Sequence, residues 1–311
     1  MVFFWIGLAA AGLIAAVLVI CYICYRMAFY SPARSLPETD ELSLPAGEIY
    51  EPYYPQMRAW TLQTRQIPAR EYSIVSFDGL RLYGKYYEFA PGAPIEIMMP
   101  GYRGLAERDL CGGVQRAFRL KHSVLLVEQR GCGKSEGSTI SFGVNERRDC
   151  LQWAQLLIQE FGADVKIILT GISMGAATVT MACALGLPKN VVGIIADCGY
   201  SSAREIIQAV IRQMGLPAKP AYPFVRLAAR IFGHFDLEAT PPVEAIKHCR
   251  VPIFIVHGEA DDYVPCSMSY EIAKNCTAPM VHFTVPGAGH GLAYVADQQG
   301  YLREVSKLHM E

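Results

Sequence analysis

Between Glu71 and Leu308 the chain alternates short apolar runs with longer stretches of helical periodicity, and this pattern restricts its fold more than any other feature. The first two runs, Glu71–Phe77 and Leu80–Glu88, alternate with period two around Asp78-Gly79, a dipeptide suited to a hairpin turn. Six more strand-length runs follow: Ile95–Met99, Ser123–Val127, Val165–Thr170, Val191–Ala196, Val251–His257 and Val281–Val285. Between and after them lie helical patterns at Ala106–Arg119, Val144–Glu160, Met174–Leu185, Ser267–Asn275 and Leu292–Leu308. Near-continuous apolar strands separated by helices predict an α/β fold: an eight-stranded, mostly parallel sheet with helices on both faces. The insertion at about 200–248 holds two further helix candidates, Ala203–Met214 and Tyr222–Phe232, separated by Pro217, Pro220 and Pro223. It is expected to form a small lid at the carboxyl edge of the sheet, where ligands of such folds bind.

The amino-terminal segment differs in kind. Val2–Tyr25 carries no charged side chain, and as a helix rising ~1.5 Å per residue it would reach ~36 Å, beyond the ~30 Å hydrocarbon core of a bilayer. Its Val, Ile, Leu and Phe residues supply roughly −4 to −7 kcal/mol of insertion free energy, and Trp5, Tyr22, Tyr25, Phe29 and Tyr30 suit interfacial belts. A cleaved signal peptide is the rival reading. It would need a charged start, a shorter apolar core and a small-residue cleavage site, whereas this stretch ends in Cys-Tyr-Ile-Cys-Tyr-Arg. Residues 1–30 are therefore expected to be a single-pass anchor that meets the bilayer through residues 2–25. Arg26 and Arg34 follow the span and no side-chain charge precedes it, which by the positive-inside rule favours a cytoplasmic domain.

Residues 31–68, with Pro32, Pro37, Pro45, Pro52, Pro55 and Pro68, read as an extended linker needing no regular element, and residues 69–311 as one domain. Composition agrees with that division. The whole chain is 52% apolar, but every residue in 1–30 except Gly7, Gly12 and Arg26 belongs to the apolar set, and without this segment the share falls to about 48%, ordinary for a soluble domain. A formal net charge of −1 offers no basis for nucleic-acid binding. The ten cysteines lack framework spacing and point to a reduced compartment. Cys21 and Cys24 form a C-x-x-C without a second pair or nearby histidine, so they read as apolar filler or acylation sites rather than zinc ligands.

Chemistry concentrates at Gly171-Ile172-Ser173-Met174-Gly175, which follows the run Lys166–Thr170 and precedes a helix of small residues. A serine at a strand-to-helix corner is held in a strained turn with its hydroxyl above the sheet edge, and the glycines let backbone pass closely on either side. Serine needs a base oriented by an acid to act as a nucleophile near neutral pH. His290, in Gly287-Ala288-Gly289-His290-Gly291 after the eighth strand, is the candidate base, whereas His257 and His282 lie within strands and read as structural. The acid is expected after the seventh strand, in His257-Gly258-Glu259-Ala260-Asp261-Asp262-Tyr263-Val264-Pro265. Asp262, adjacent to Asp261, is one alternative acid, and Asp197, at the end of the sixth strand, is a second. The amide following the nucleophile, that of Met174, is one expected donor to an oxyanion. Gly131-Cys132-Gly133-Lys134-Ser135 ends like a phosphate loop but has Glu128 where the first glycine belongs. Cys132 and Cys266 have no histidine arrangement that competes with the serine.

Four motifs together resemble the α/β-hydrolase superfamily from about residue 71 to 308: the serine elbow, H-G-x-x-D-x-x-V-P ending at Pro265, G-x-G-H ending at His290, and Glu128-Gln129-Arg130-Gly131-Cys132-Gly133-Lys134-Ser135. The likeness is to membrane-anchored members of the serine aminopeptidase and monoacylglycerol lipase-like branch. It implies a Ser173, Asp261, His290 triad and a second oxyanion donor at Tyr102, in a loop where Pro100 replaces the family's usual histidine. It also implies hydrolysis through an acyl-enzyme without metal or cofactor. A carboxylic ester bearing an acyl chain is the expected substrate, with Met214, Tyr222, Phe224 and Phe232 of the lid as candidate pocket residues. Peptide hydrolysis, acyl transfer to another acceptor and a non-catalytic binding role on the same fold are the alternatives.

Overall fold

The computed structural model describes residues 1–31, 42, 44–308 and 310; Pro32, Arg34 and Pro37, used above for the linker and the topology, lie outside them. Eight strands form one sheet: β1 (Ala69–Val75), β2 (Arg81–Tyr87), β3 (Ile95–Met99), β4 (Ser123–Val127), β5 (Ile167–Ile172), β6 (Val191–Asp197), β7 (Ile253–Gly258) and β8 (Met280–Val285). Their order is β1-β2-β4-β3-β5-β6-β7-β8. β1 and β2 pair antiparallel around the expected turn, from Ala69 opposite Tyr87 to Val75 opposite Arg81, and β2 is antiparallel to β4. Every other pair is parallel, which places β5 at the centre with its carboxyl end at the edge that carries the loops.

Twelve α-helices accompany the sheet: α1 (Val2–Ala28), α2 (Tyr54–Arg65), α3 (Ala106–Asp109), α4 (Gly113–Arg119), α5 (Glu146–Phe161) and α6 (Met174–Ala182) in the first half of the chain. The second half holds α7 (Ala203–Gln213), α8 (Ala218–Ile231), α9 (Pro242–Ala245), α10 (Ser267–Asn275), α11 (Ala293–Ala296) and α12 (Gln298–Val305). Successive strand residues face opposite sides. Ile167 and Leu169 thus join Trp153 and Leu157 of α5 and Val179 of α6 on one face, while Ile168 meets Trp60 of α2 and Tyr301 of α12 on the other. In α5 the buried residues Cys150, Trp153, Ala154 and Leu157 recur at helical spacing, the stripe that periodicity predicts.

A third apolar cluster joins the end of α1 to the α7–α8 insertion: Cys21, Tyr25 and Phe29 pack with Tyr222, Val225 and Phe235. Phe29 is fully buried, edge-on to Phe142 and Phe235. Beyond it the chain joins the domain, since Ile140 N–H donates to Phe29 O, Tyr30 bridges Thr139 and Ser31 Oγ donates to Gly131 O at 2.7 Å. The amino-terminal part of α1 stands free with its apolar side chains exposed, and the helix is long and apolar enough to cross a membrane.

Several element expectations are corrected. The segment read as an extended linker contains a 3-10 turn (Glu48–Tyr53) and α2. Pro55 occupies the first turn of α2, where a missing N–H costs nothing, and Met57, Trp60, Thr61 and Thr64 are buried at helical spacing. The single helix expected over Ala106–Arg119 breaks into α3 and α4 at Gly112, where a Cβ would lie 2.7 Å from the Trp60 ring. Leu292–Leu308 likewise divides at Asp297, whose carboxylate accepts Gly300 N–H at 2.8 Å and starts α12. In the lid, α8 begins at Ala218, so Pro220 and Pro223 sit inside the helix rather than before it. Pro220 falls in the first turn, where the N–H has no intrahelical acceptor.

Trp153 is the largest fully buried side chain and fills the space over Gly84 of β2, whose added Cβ would stand 3.3 Å from its ring. Trp153→Ala is expected to lower unfolding stability by about 3–5 kcal/mol, read from urea denaturation of the detergent-solubilised chain.

Candidate active site

The turn from β5 into α6 bends Ser173 to φ 55°, ψ −118°, a region unfavourable for any residue with a side chain. Its neighbours must be glycines. A Cβ on Gly171 would lie 2.2 Å from Gly175 C, and one on Gly175 would lie 2.0 Å from Met99 O at the end of β3. The close passage of β3 against α6 also brings the Pro100–Gly104 loop beside the serine, where a Cβ on Gly101 would stand 3.6 Å from Ser173 Cβ.

His290 comes to the same point from the loop after β8. Its Nε2 lies 2.9 Å from Ser173 Oγ and its Nδ1 2.7 Å from Asp261 Oδ2. With Nδ1–H donating to the carboxylate, Nε2 presents its lone pair to the serine hydroxyl. The backbone carbonyl of His290 accepts from Tyr50 in the 3-10 turn at 3.0 Å, so the segment before β1 holds the histidine loop. Asp261 Oδ1 accepts the N–H groups of Tyr263 (2.9 Å) and Val264 (2.8 Å), and His257 Nε2 lies 3.1 Å from Oδ2 and 2.9 Å from Val264 O. Both neighbours of Nε2 are acceptors, so this nitrogen carries the proton and His257 donates to Asp261. Burial alone would push the Asp261 carboxyl up, but the hydrogen bonds from His257 and His290 and the backbone hold it down at about 2. It is therefore an anionic acceptor throughout the neutral range.

The structure brings Ser173, His290 and Asp261 into one hydrogen-bonded chain. It leaves Asp262 outside, with its backbone carbonyl taken by Gln213, and the His290 ring nitrogens bond to Asp261 and Ser173 rather than to Asp197. Above Ser173, Asp109 Oδ2 accepts Gly101 N–H at 3.1 Å and Gln129 Nε2 donates to Pro100 O at 2.6 Å. These bonds shape the loop that carries the backbone N–H of Tyr102. Among the described residues neither that N–H nor the N–H of Met174 has an acceptor. The Tyr102 side chain turns away, donating to Ala28 O at 2.8 Å, and Arg103 Nη2 donates to Met27 O (3.0 Å) and Tyr30 O (2.7 Å). The loop beside Ser173 thereby caps the carboxyl end of α1. Sequence periodicity could not have revealed Tyr50, Asp109, Gln129 or Arg103, because each acts on a segment distant in the chain.

A cavity of about 700 Å³ opens at Ser173 and His290. Its wall comes from the 3-10 turn, α2, the Gly101–Gly113 segment and α11 and α12, including Tyr50, Trp60, Asp109, Arg116, Asp197 and Tyr294. The four lid residues expected in the pocket are not among its lining. Phe232 packs on Tyr22 and Tyr25 of α1, Phe224 packs into the same apolar cluster, Tyr222 donates to Glu238 at 2.9 Å, and Met214 is half exposed. The lid residues were expected to face substrate, but the apolar face of α8 is taken up by α1. The three-donor group Cys198, Asp261 and His290 is the one among the described residues able to approach a metal ion together. Two of its members are already bonded to each other, so an ion would have to break the His290–Asp261 bond.

A family model described as the alpha/beta hydrolase family matches residues 89–303. An uncharacterized protein of Bacillus subtilis, YqkD, is 24% identical over 186 residues, 60% of this chain and 61% of its own length. An uncharacterized Mycobacterium tuberculosis protein, Rv2307c, is 25% identical over 243 residues, covering 76% of this chain and 78% of the relative. Among solved structures, Pyrococcus furiosus esterase Pf2001 superposes with a TM-score of 0.65 at 17% identity, over 90% of this chain and 97% of that one. Est1E of Butyrivibrio proteoclasticus, solved with ferulic acid, gives 0.57 at 20% identity, over 75% and 98%.

The Asp261 carboxyl is lowered from 3.8 to about 2 by folding, so the stability its charge contributes is complete above about pH 4 and is lost as the pH falls through about 2. Asp261→Asn is expected to remove that part of the acid-side slope. Urea midpoints compared between about pH 5 and about pH 2 read it directly.

Proposed function

Because the chain belongs to the alpha/beta hydrolase family, we propose that it is a membrane-anchored serine hydrolase that cleaves carboxylic esters. The reading rests on one observation: the hydrogen-bonded sequence Ser173, His290, Asp261 at the mouth of a substrate-sized cavity. In this mechanism His290 Nε2 takes the Ser173 proton as Oγ bonds to the ester carbonyl carbon. The N–H groups of Tyr102 and Met174 receive the oxyanion. The carbonyl C–O bond to the alcohol then breaks, and His290 returns its proton to the leaving oxygen. Water, deprotonated by the same histidine, releases the acid and restores the serine. Asp261 keeps the imidazole in one orientation and balances its charge while it is protonated. This cycle is complete with these residues and water as the co-substrate.

The anchor reading is supported at the junction. Tyr25, Phe29, Tyr30 and Ser31 are bonded or packed into the domain, so removal of the segment as a leader would also strip a docked piece of the fold. The same contacts tie the end of α1 to the loop that offers the Tyr102 N–H.

Two outcomes are expected. A fluorophosphonate probe should label the wild-type chain at Ser173, and Ser173→Ala should abolish labelling and lower ester turnover by roughly 10³-fold or more; retained turnover in the purified variant overturns the mechanism. Arg103→Ala, which releases the loop from the end of α1, should lower kcat by roughly tenfold or more with a smaller change in KM. The protein should remain in the membrane fraction, so that kinetics and fractionation together separate loop geometry from anchoring.

A further inference from the structure

The wall of the cavity carries buried polar groups that the reaction just described does not use, the enclosed and unpartnered Tyr294 hydroxyl among them. Asp197, at the carboxyl end of β6, is 8% exposed, and its Oδ1 is enclosed without a hydrogen-bond partner. Arg116, on α4, is 4% exposed; its Nη2 donates to Glu96, while Nη1 is enclosed and has no partner. Both residues line the same cavity as Ser173. Glu96 cannot also serve Nη1 well, because it already receives His122 Nδ1 at 2.9 Å and Thr170 Oγ1 at 2.7 Å along with Arg116. The same wall also carries aromatic rings: Trp60 stacks on Tyr294 with centroids 5.5 Å apart, and the Arg116 guanidinium lies 5.7 Å from the centre of the Tyr301 ring.

An enclosed donor and an enclosed acceptor on one cavity wall specify what complements them. A simple alkyl chain leaves both unpaired, which is unfavourable because each has already lost its water. A carboxylate would suit Arg116 but face Asp197, and an ammonium group would suit Asp197 but face Arg116. Glu96 already balances the charge of Arg116. A neutral group that both donates and accepts meets each requirement at once. Burial pushes the Asp197 carboxyl up to about 6, opposed by His257 and Arg116, so it is mostly an anionic acceptor at neutral pH.

We propose that the Arg116 and Asp197 side chains form a specificity subsite for a neutral hydrogen-bonding group, a hydroxyl or carboxamide, on the acyl arm of the ester. The acyl arm is the one assigned because it stays on Ser173 while the alcohol leaves. The inference rests on the hydrolase reading above and narrows its substrate class from plain acyl esters to those with a polar distal group.

The test uses the full-length chain in detergent. Ethyl esters of the straight-chain acids from hexanoic to nonanoic are compared with their ω-hydroxy counterparts by proton release, alongside fluorophosphonate labelling of the same preparations. The hydroxy ester should be favoured by roughly tenfold or more in kcat/KM at the best-fitting length. Asp197→Leu should bring that ratio near one, whereas Asp197→Asn, whose amide oxygen still accepts, should retain the preference; labelling of both variants confirms a folded site. Alkyl esters cleaved as well as their hydroxy partners at every length would mean that these groups bind only water, and would overturn the proposal. Labelling without hydrolysis of either series would also overturn it while leaving the serine-hydrolase reading intact. Absence of labelling would overturn both.

Discussion

The geometry of the site depends on one crossing of backbones. β3, β5 and α6 converge so closely that the positions of Gly171 and Gly175 have no room for a side chain, and the chain between them turns Ser173 into a positive-φ conformation. Such a conformation costs on the order of 1–3 kcal/mol and persists only where surrounding structure over-determines it. Here the surroundings are strong: Ser173 N–H donates to Asp197 O, Ala177 N–H donates to Ser173 O, and α6 is buried along its whole length. The same crossing presses the end of β3 onto α6 and brings the loop that carries Tyr102 beside the serine. The strained turn at Ser173, the proposed nucleophile, and the placement of the Tyr102 loop beside it thus follow from a single packing constraint.

Around that turn, charge is arranged in two different ways. Asp261 is a buried anion whose oxygens are occupied by two imidazoles and two backbone amides, so it stays ionised. Asp197 lies near it on the adjacent strand, buried to a similar extent, yet its Oδ1 has no partner and its carboxyl is pushed up instead of down. Two carboxylates at one sheet edge therefore differ in their remaining capacity to bond. That difference separates the orienting role proposed for Asp261 from the recognition role proposed for Asp197.

The apolar helix is more than a tether in this arrangement. Its last turn enters the core between the lid and the Ile140–Val144 loop, and its terminal carbonyls are taken by Tyr102 and Arg103. Helix termini leave carbonyls without intrahelical partners, and here a loop beside Ser173 supplies donors to them. α8 turns its apolar face to this helix, and the cavity at Ser173 is walled instead by residues of α2 and the turn before it.

Local pattern was enough for much of the molecule. Period-two alternation for the first two strands and apolar runs for the other six placed all eight to within two residues at either end, and the uncharged length of Val2–Tyr25 marked a helix able to span a bilayer. The serine corner was legible because a strand, two glycines and a small-residue helix satisfy a local steric demand. Other features could be decided only by tertiary contacts. α2 forms because Trp60 and Met57 find a buried surface made by residues far along the chain, and the break between α3 and α4 follows from the Trp60 ring lying against Gly112. The lid aromatics read from composition as pocket residues, but apolar character does not specify a partner, and α1 reached them first. The cavity wall, the unpartnered Arg116 and Asp197 atoms, and the bonds from Tyr50, Asp109 and Arg103 all depend on which distant segments the fold brings within hydrogen-bonding distance, and no local periodicity carries that information.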